Sequence, residues 1–359
     1  SIIIILDYLQ KFKNWNIERQ SVVLLIRTKK GISFIETIAN KLGRFGYKVA
    51  DAGVVVAIIS VFVAPVLMTY YFIKNLVTPS PVPTVTLVIP GITIPLFYGL
   101  AGIIILIVFH ELSHGIVAKL EKMKIDSVGA LLFLIIPGAF VEPNEEELKK
   151  ANRRTKLRIY SAGSFANYIV GFTALLLLIS ASHGFSQGMY INEVIKNSSA
   201  YGVLERGETI VSINGTEING VEDFINFMNN TKPNETIVIQ TDRGIKRVVL
   251  GEHPKNNNKG FLGIVIKEPF KAPKSYIRKF FGVYGYWAIT KMLYWIFLLN
   301  VGVGMFNLFP IKPLDGGFIF EELLTKIGLR ERLLKSLVYG VAVFSITLVL
   351  LSILLPYLT

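Results

Sequence analysis

Residues 95–120 read PLFYGLAGIIILIVFHELSHGIVAKL. Leu96 to Phe109 is apolar and uncharged, and with its flanks it is long enough to cross a bilayer, which takes about 20 such residues. The run ends in Phe109-His110-Glu111-Leu112-Ser113-His114-Gly115. On a helix, positions i and i+4 share a face. His110 and His114 can therefore grip one zinc ion, and Glu111 beside them can take a proton from the attacking water. The bland alternative is a pair of core histidines at chance spacing. Against it, the chain has only 4 histidines, and a Glu between two of them in an apolar span is costly in lipid unless it has a function.

The rest of the chain repeats the membrane signal. It is 52% hydrophobic and 18% charged, against about 25% charged in a typical soluble domain; its mean hydropathy is +0.52. Ala52 to Ile73, Asn75 to Phe109, Ile159 to Ile191, Met292 to Ile311 and Ser336 to Thr359 carry no charge. These runs predict spans at roughly 51–74, 95–120, 159–183, 281–310 and 334–356. Ser127 to Val141 is also uncharged but too short to span, and Pro137-Gly138 interrupts it. A re-entrant hairpin over 127–143 fits, with its backbone satisfied by protein or water. The opening Ser1 to Leu6 reads as the tail of a further apolar segment. Without cysteine, disulfides are excluded, and metal ligands must come from His, Asp or Glu.

The net charge of +13 does not point to nucleic acid, because its distribution fits membrane topology. Lys/Arg residues crowd Lys11 to Lys48 before the first span. Lys149, Lys150, Arg153, Arg154, Lys156 and Arg158 precede the third, and Lys326, Arg330, Arg332 and Lys335 the fifth. Basic flanks mark the cytoplasmic side. Residues 1–50 then form a basic cytoplasmic segment, and the loop with Pro79, Pro81 and Pro83 lies outside. Lys271, Lys274, Arg278 and Lys279 fall on the outer side and read as lipid headgroup contacts.

Between the third and fourth spans, residues 186–268 break the hydrophobic pattern. Ile210-Val211-Ser212-Ile213 leads into Asn214-Gly215, a hairpin signal. Val221, Phe224, Ile225 and Met228 keep helical spacing. Thr236 to Thr241 alternates, turns at Asp242-Arg243-Gly244 and returns through Leu250. Strands around one short helix make a small α+β module. Leu204-Glu-Arg-Gly-Glu-Thr-Ile-Val-Ser-Ile-Asn-Gly215 resembles a PDZ domain of the bacterial protease type, with Glu208 where that family has Asp. Gly260-Phe261-Leu262-Gly263 resembles the loop that receives a peptide end in such domains. A folded spacer that only blocks access is the alternative.

Catalytic zinc takes three protein ligands and one open position. The best third ligand is Asp315 in Asn307-Leu-Phe-Pro310-Ile-Lys-Pro313-Leu314-Asp315-Gly316, where two prolines interrupt the backbone after the fourth apolar run. H-E-x-x-H on one span and N-x-x-P-x-x-x-L-D-G after a later one resemble the site-2 protease family of intramembrane zinc metalloproteases. The resemblance extends to Gly163-Ser-Phe-Ala-Asn167, similar to that family's G-x-x-x-N motif, and to Gly129 to Pro143, similar to its re-entrant hairpin. It covers roughly residues 95–320. It implies one zinc on His110, His114 and Asp315, Glu111 as base, and Asn167 and Asn307 on the substrate backbone or the oxyanion. Helix–helix hydrogen bonding is the other reading of each asparagine. The hairpin would offer a strand edge to an unwound substrate. Asn144 to Arg158 fits one interfacial helix capped by Asn144, or a solvated linker.

The expectation is a multi-pass α-helical membrane protein with a re-entrant hairpin and an inserted PDZ-like α+β domain. Its membrane parts are 51–183 and 281–359. It would hydrolyse peptide bonds in transmembrane segments of membrane proteins, with membrane lipid as its other partner. The site would lie toward the cytoplasm and the inserted domain outside it. A zinc-stabilised membrane peptide receptor and a metal transporter are the rival classes.

Overall fold

The computed structural model describes residues 17–20, 23–78, 85–133 and 136–354. The apolar Ser1–Leu6 stretch and Pro79, Pro81 and Pro83 lie outside the described residues. The chain divides into two compact units, Ser1–Leu175 with Tyr294–Thr359, and Leu176–Leu293.

Among the described residues, five helices are long and apolar enough to cross a membrane: α1 (Ile32–Val77), α2 (Leu96–Leu120), α4 (Arg153–Ser182), α6 (Ser275–Asn307) and α8 (Glu331–Leu354). Two shorter helices, α3 (Glu145–Lys150) and α7 (Asp315–Lys326), accompany them. This is a multi-pass helical membrane protein. The first span is much longer than the run starting at residue 51. It begins at Ile32 and contains a break at Gly43, with φ 45° and ψ −128°. Small residues on α1 set its packing. Gly46, Ala50, Gly53, Ala57 and Ala64 are all buried. A Cβ on Gly46 would come within 2.7 Å of Leu120 Cδ1, and one on Gly53 within 2.9 Å of Phe165 Cδ1. Such close approach is how helices associate where lipid is as apolar as the interface.

The hairpin is made of β3 (Ile125–Phe133) and β4 (Ile136–Pro143). Two further strands, β1 (Ile17–Gln20) and β2 (Val23–Thr28), extend it to an antiparallel sheet in the order β1-β2-β3-β4. These residues fall in the basic segment 1–50, to which the sequence assigned no secondary structure. Arg27 sits opposite Gly129, and Gly129 opposite Phe140. With no side chain at Gly129, the Phe140 ring lies across it and the Arg27 guanidinium caps that ring at 5.4 Å. Arg27 also pairs with Glu142.

Asn144 to Arg158 is not one helix. The Asn144 side chain accepts from Glu147 N and starts α3. The Asn152 side chain then accepts from Thr155 N at 3.0 Å. This second cap restarts the chain as α4, so Arg153 to Arg158 belong to the spanning helix.

The second unit holds an antiparallel sheet in the order β10-β9-β7-β5. These strands are β5 (Met189–Tyr190), β7 (Thr209–Ile213), β9 (Thr236–Thr241) and β10 (Gly244–Val249), and β8 (Thr216–Glu217) pairs with β7. The two smaller ladders are β6 (Glu193–Val194) with β13 (Ile264–Val265), and β11 (Gly251–His253) with β12 (Asn256–Phe261). One helix, α5 (Val221–Asn229), completes the α+β module. Asn214 at φ 50° and Gly215 at φ 80° make the turn that their sequence demands. Alternation on β9 buries Ile237 and Ile239 against Ile191, Ile210, Ile213 and Ile218 in one core.

Candidate metal centre

Helix α2 carries His110 and His114 one turn apart, and Asp315 is the first residue of α7. The intervening chain brings the carboxylate back to the histidines through closely stacked backbone. A Cβ on Gly316 would lie 2.2 Å from the Leu308 carbonyl oxygen, and one on Gly317 2.5 Å from Ile311 C. Only glycine permits that return. The Nε2 atoms of His110 and His114 are 3.2 Å apart. His110 Nε2 to Asp315 Oδ2 is 3.5 Å, as is His114 Nε2 to Asp315 Oδ1. One ligand atom from each residue, all within 4.8 Å of one another, suits a single metal ion, and two histidines with a carboxylate are a donor set that zinc takes.

Helix α4 supplies a partner to each of the three side chains. The Ile159 carbonyl accepts from His114 Nδ1 at 2.7 Å, which leaves the Nε2 lone pair facing the other ligands. Ser164 Oγ donates to Asp315 Oδ2 at 3.0 Å. The Asn167 carboxamide lies 3.1 Å from His110 Nδ1, with its Nδ2 nearest and its buried Oδ1 without a partner. The two ends of a carboxamide are nearly isosteric. Turned over, the amide satisfies Oδ1 with the His110 Nδ1–H and frees His110 Nε2 for metal. Between these contacts lies Gly163, where a Cβ would be 2.4 Å from His114 Nε2 and 2.6 Å from His110 Nε2. The α4 face at 159, 163, 164 and 167 is thus built around the ligand triad.

Glu111 takes a different partner. Its Oε2 accepts from the backbone N–H of Val141 at 3.1 Å. β4 is the last strand of its sheet, so this N–H points away from β3. N–H groups of alternate residues share a side, which puts Ala139 N–H and the Pro137 position on the same free edge.

The expected site residues separate into groups. His110, His114 and Asp315 are brought together. Asn167 is fully buried against His110 and does not face an open site. Asn307 ends α6, half-buried, and its carboxamide makes no hydrogen bond among the described residues. In the second unit, Gly260 and Phe261 belong to β12, Leu262 is 2% exposed in the core, and Gly263 has φ +82°. The Leu262 and Gly263 carbonyls accept from Ala200 N and Ile195 N. Sequence reasoning missed Ile159 and Ser164, whose partners are far along the chain.

Comparison with known proteins agrees with this geometry. The model of Peptidase family M50 matches residues 98–352. The chain is 32% identical over 314 residues to "Uncharacterized protein MJ0971" of Methanocaldococcus jannaschii, covering 84% of this chain and 78% of the relative. It is 27% identical to a "Putative zinc metalloprotease" of Clostridium perfringens, covering 66% of this chain and 89% of that one. It is 26% identical to the "Membrane-bound transcription factor site-2 protease homolog" of Arabidopsis thaliana, over 36% of this chain and 26% of the relative. Among solved structures, the PDZ domain of the SdrC-like protein from Listeria monocytogenes is similar at 25% identity. That match covers 23% of this chain and 88% of that one, with a TM-score of 0.21. Because the family model runs through α2, α4 and α7, the helices that carry the triad and its partners, this chain belongs to Peptidase family M50 and is a site-2-protease-like zinc metallopeptidase.

Proposed function

We propose that the chain is an intramembrane endopeptidase that holds one zinc ion on His110, His114 and Asp315 and cuts transmembrane segments of other membrane proteins. The observation that carries this is the convergence of His110 and His114, on a helix long and apolar enough to span a bilayer, with Asp315 of α7, each offering one ligand atom within 4.8 Å of the others. Zinc bound there would polarise the scissile carbonyl and acidify water. Glu111 accepts the proton of the attacking water and returns it to the leaving amine. The Val141 N–H holds the Glu111 carboxylate in place meanwhile. Asn307, with its carboxamide uncommitted, donates to the substrate backbone or to the developing oxyanion. The free edge of β4 takes an unwound stretch of substrate as an added strand, exposing a peptide bond that a helix would hide.

The basic flanks of the first, third and fifth spans support a site toward the cytoplasm, with residues 186–268 outside it. There the inserted module, as a PDZ-like domain, meets the outer parts of substrates.

The deciding comparison is Glu111→Gln against wild type, with zinc per mole of protein measured alongside cleavage of a transmembrane substrate in detergent. The variant should keep its zinc and lose about 10²–10⁴-fold in rate. Cleavage at the wild-type rate would sink the mechanism. A zinc-loaded wild type that cuts no member of a broad substrate panel would favour the receptor reading instead.

A further inference from the structure

The basic cluster before the third span accounts for topology by its charge alone, yet its members are not equivalent. Lys149 and Lys150 are exposed. Arg158 is only 9% exposed. Its guanidinium makes a fork with Asp51 of α1, Nε to Oδ1 at 2.7 Å and Nη2 to Oδ2 at 2.9 Å. Nη1 reaches Glu121, the C-cap residue of α2, at 2.6 Å. The same guanidinium lies 4.9 Å from the ring centre of Tyr47, whose hydroxyl donates to the Leu120 carbonyl. Thr155 Oγ1 donates to the other Glu121 oxygen at 2.7 Å. Arg154, whose side chain is 70% exposed, adds a second pair to Asp51. Two carboxylates and two guanidiniums thus balance.

We infer that Arg158 is a positioning residue for the metal centre. It is adjacent in sequence to Ile159, whose carbonyl accepts from His114 Nδ1. Its other contact, Glu121, closes the helix that carries both histidines. One side chain therefore locks the donor helix and the acceptor carbonyl of the His114 hydrogen bond together, with α1 as the third anchor. Lys156 and Tyr160 on the same turns hold the Asp315 helix. Lys156 Nζ pairs with Glu322 at 3.0 Å, and the Tyr160 ring stacks on Phe318 at 5.1 Å. A topological role would be served as well by lysine, since only charge counts for it. The fork on Asp51 needs the planar guanidinium.

This inference rests on the proposed zinc ligation, and its test reads metal retention rather than cleavage. The full chain in detergent is loaded with zinc, and the rate of zinc transfer to a chromogenic chelator is measured. The visible absorption of the cobalt-exchanged protein reports ligand geometry. Arg158→Lys and Arg158→Gln should release zinc about 10–100-fold faster, the usual effect of disturbing a ligand's supporting shell, with an altered cobalt spectrum. Arg154→Gln should match wild type. Arg158→Gln leaves Glu121 without its cation and Asp51 with the exposed Arg154 alone, which by itself destabilises a partly buried site. Asp51→Asn and Glu121→Gln added to Arg158→Gln remove that charge. This triple variant should recover melting temperature while still releasing zinc quickly. Wild-type zinc release and cobalt spectrum in both Arg158→Lys and the triple variant would overturn the inference. Failure of the proposed function looks different: a wild type that holds zinc but cleaves nothing.

Discussion

The backbone N–H of Val141 donates to Glu111 Oε2 at 3.1 Å, joining the general-base candidate on α2 to the free edge of β4. The strand that is proposed to receive substrate and the carboxylate that is proposed to move its proton are therefore one hydrogen bond apart. Glu111 need not be positioned by zinc or by substrate, because a backbone donor on a paired strand already holds it.

Val141→Pro isolates that bond. The N–H faces away from β3, so its loss spares the sheet ladder, and Pro137 already occupies the same edge. A hydrogen bond to a charged group is worth about 1.5–3 kcal/mol, so turnover should fall about 10–100-fold with zinc content unchanged. Single-turnover cleavage and metal analysis on one preparation check this. An unaltered rate would show that Glu111 does not depend on Val141.

Gly163→Ala should strip the metal without touching a ligand. The added Cβ would sit 2.4 Å from His114 Nε2 and 2.6 Å from His110 Nε2. Either both imidazoles turn away or α4 retreats, and each breaks the ligand spacing. Zinc affinity should drop by at least the 10–100-fold typical of a disturbed site. Gly302→Ala is the control, since a Cβ there meets nothing within 4 Å. Full zinc occupancy in Gly163→Ala at limiting metal would contradict the close packing of α4 on α2.

The parts of this site that were legible in sequence are those whose chemistry is local. His110 and His114 declare themselves by a four-residue spacing on an apolar helix. Asn214-Gly215 announces its turn because few residues accept positive φ at both positions. Asp315 gained its meaning only beside the H-E-x-x-H motif, since an Asp-Gly pair alone is an ordinary turn. Pairings remote in sequence left no signal. Val23-Leu24-Leu25-Ile26 is a short apolar run that periodicity cannot assign, and its strand exists because β3 lies opposite. Charge counting cannot tell exposed Lys149 from buried Arg158. Asn144 to Arg158 looked continuous because one cap was recognised and the second, Asn152, was not.

In the second unit, Glu208 is wholly buried, and its Oε1 meets Lys246 Nζ at 2.5 Å. Lys246 also donates to the Val203 carbonyl at 2.6 Å. The longer acid in place of Asp thus anchors the lysine of β10 to the loop before β7. Lys246→Ala would leave a buried carboxylate alone, which costs about 3–5 kcal/mol. Amide exchange at Ile237 and Ile239 in the full chain should quicken accordingly. Lys246→Met combined with Glu208→Leu removes both charges and should restore protection. Equal exchange in Lys246→Ala and wild type would mean that the pair contributes nothing to this core.

Asn167 and Asn307 should separate in their kinetic signatures. Asn167 has no exposed surface, and its carboxamide rests 3.1 Å from His110 Nδ1. It is placed to orient a ligand, whereas Asn307 at the end of α6 makes no carboxamide hydrogen bond among the described residues. Asn167→Leu should weaken zinc binding about 10–100-fold, and excess zinc should restore most of its cleavage with KM unchanged. Asn167→Asp should retain zinc, because a carboxylate oxygen accepts the same Nδ1–H. Asn307→Ala should hold zinc as tightly as wild type and lose turnover, by about 10²–10³-fold if its amide serves the oxyanion. Zinc titrations with a competing chelator, paired with kcat and KM at saturating metal, resolve these cases. If Asn167→Leu binds zinc like wild type but loses kcat, the side chain contacts the reacting substrate and the orientation assigned to it here is wrong.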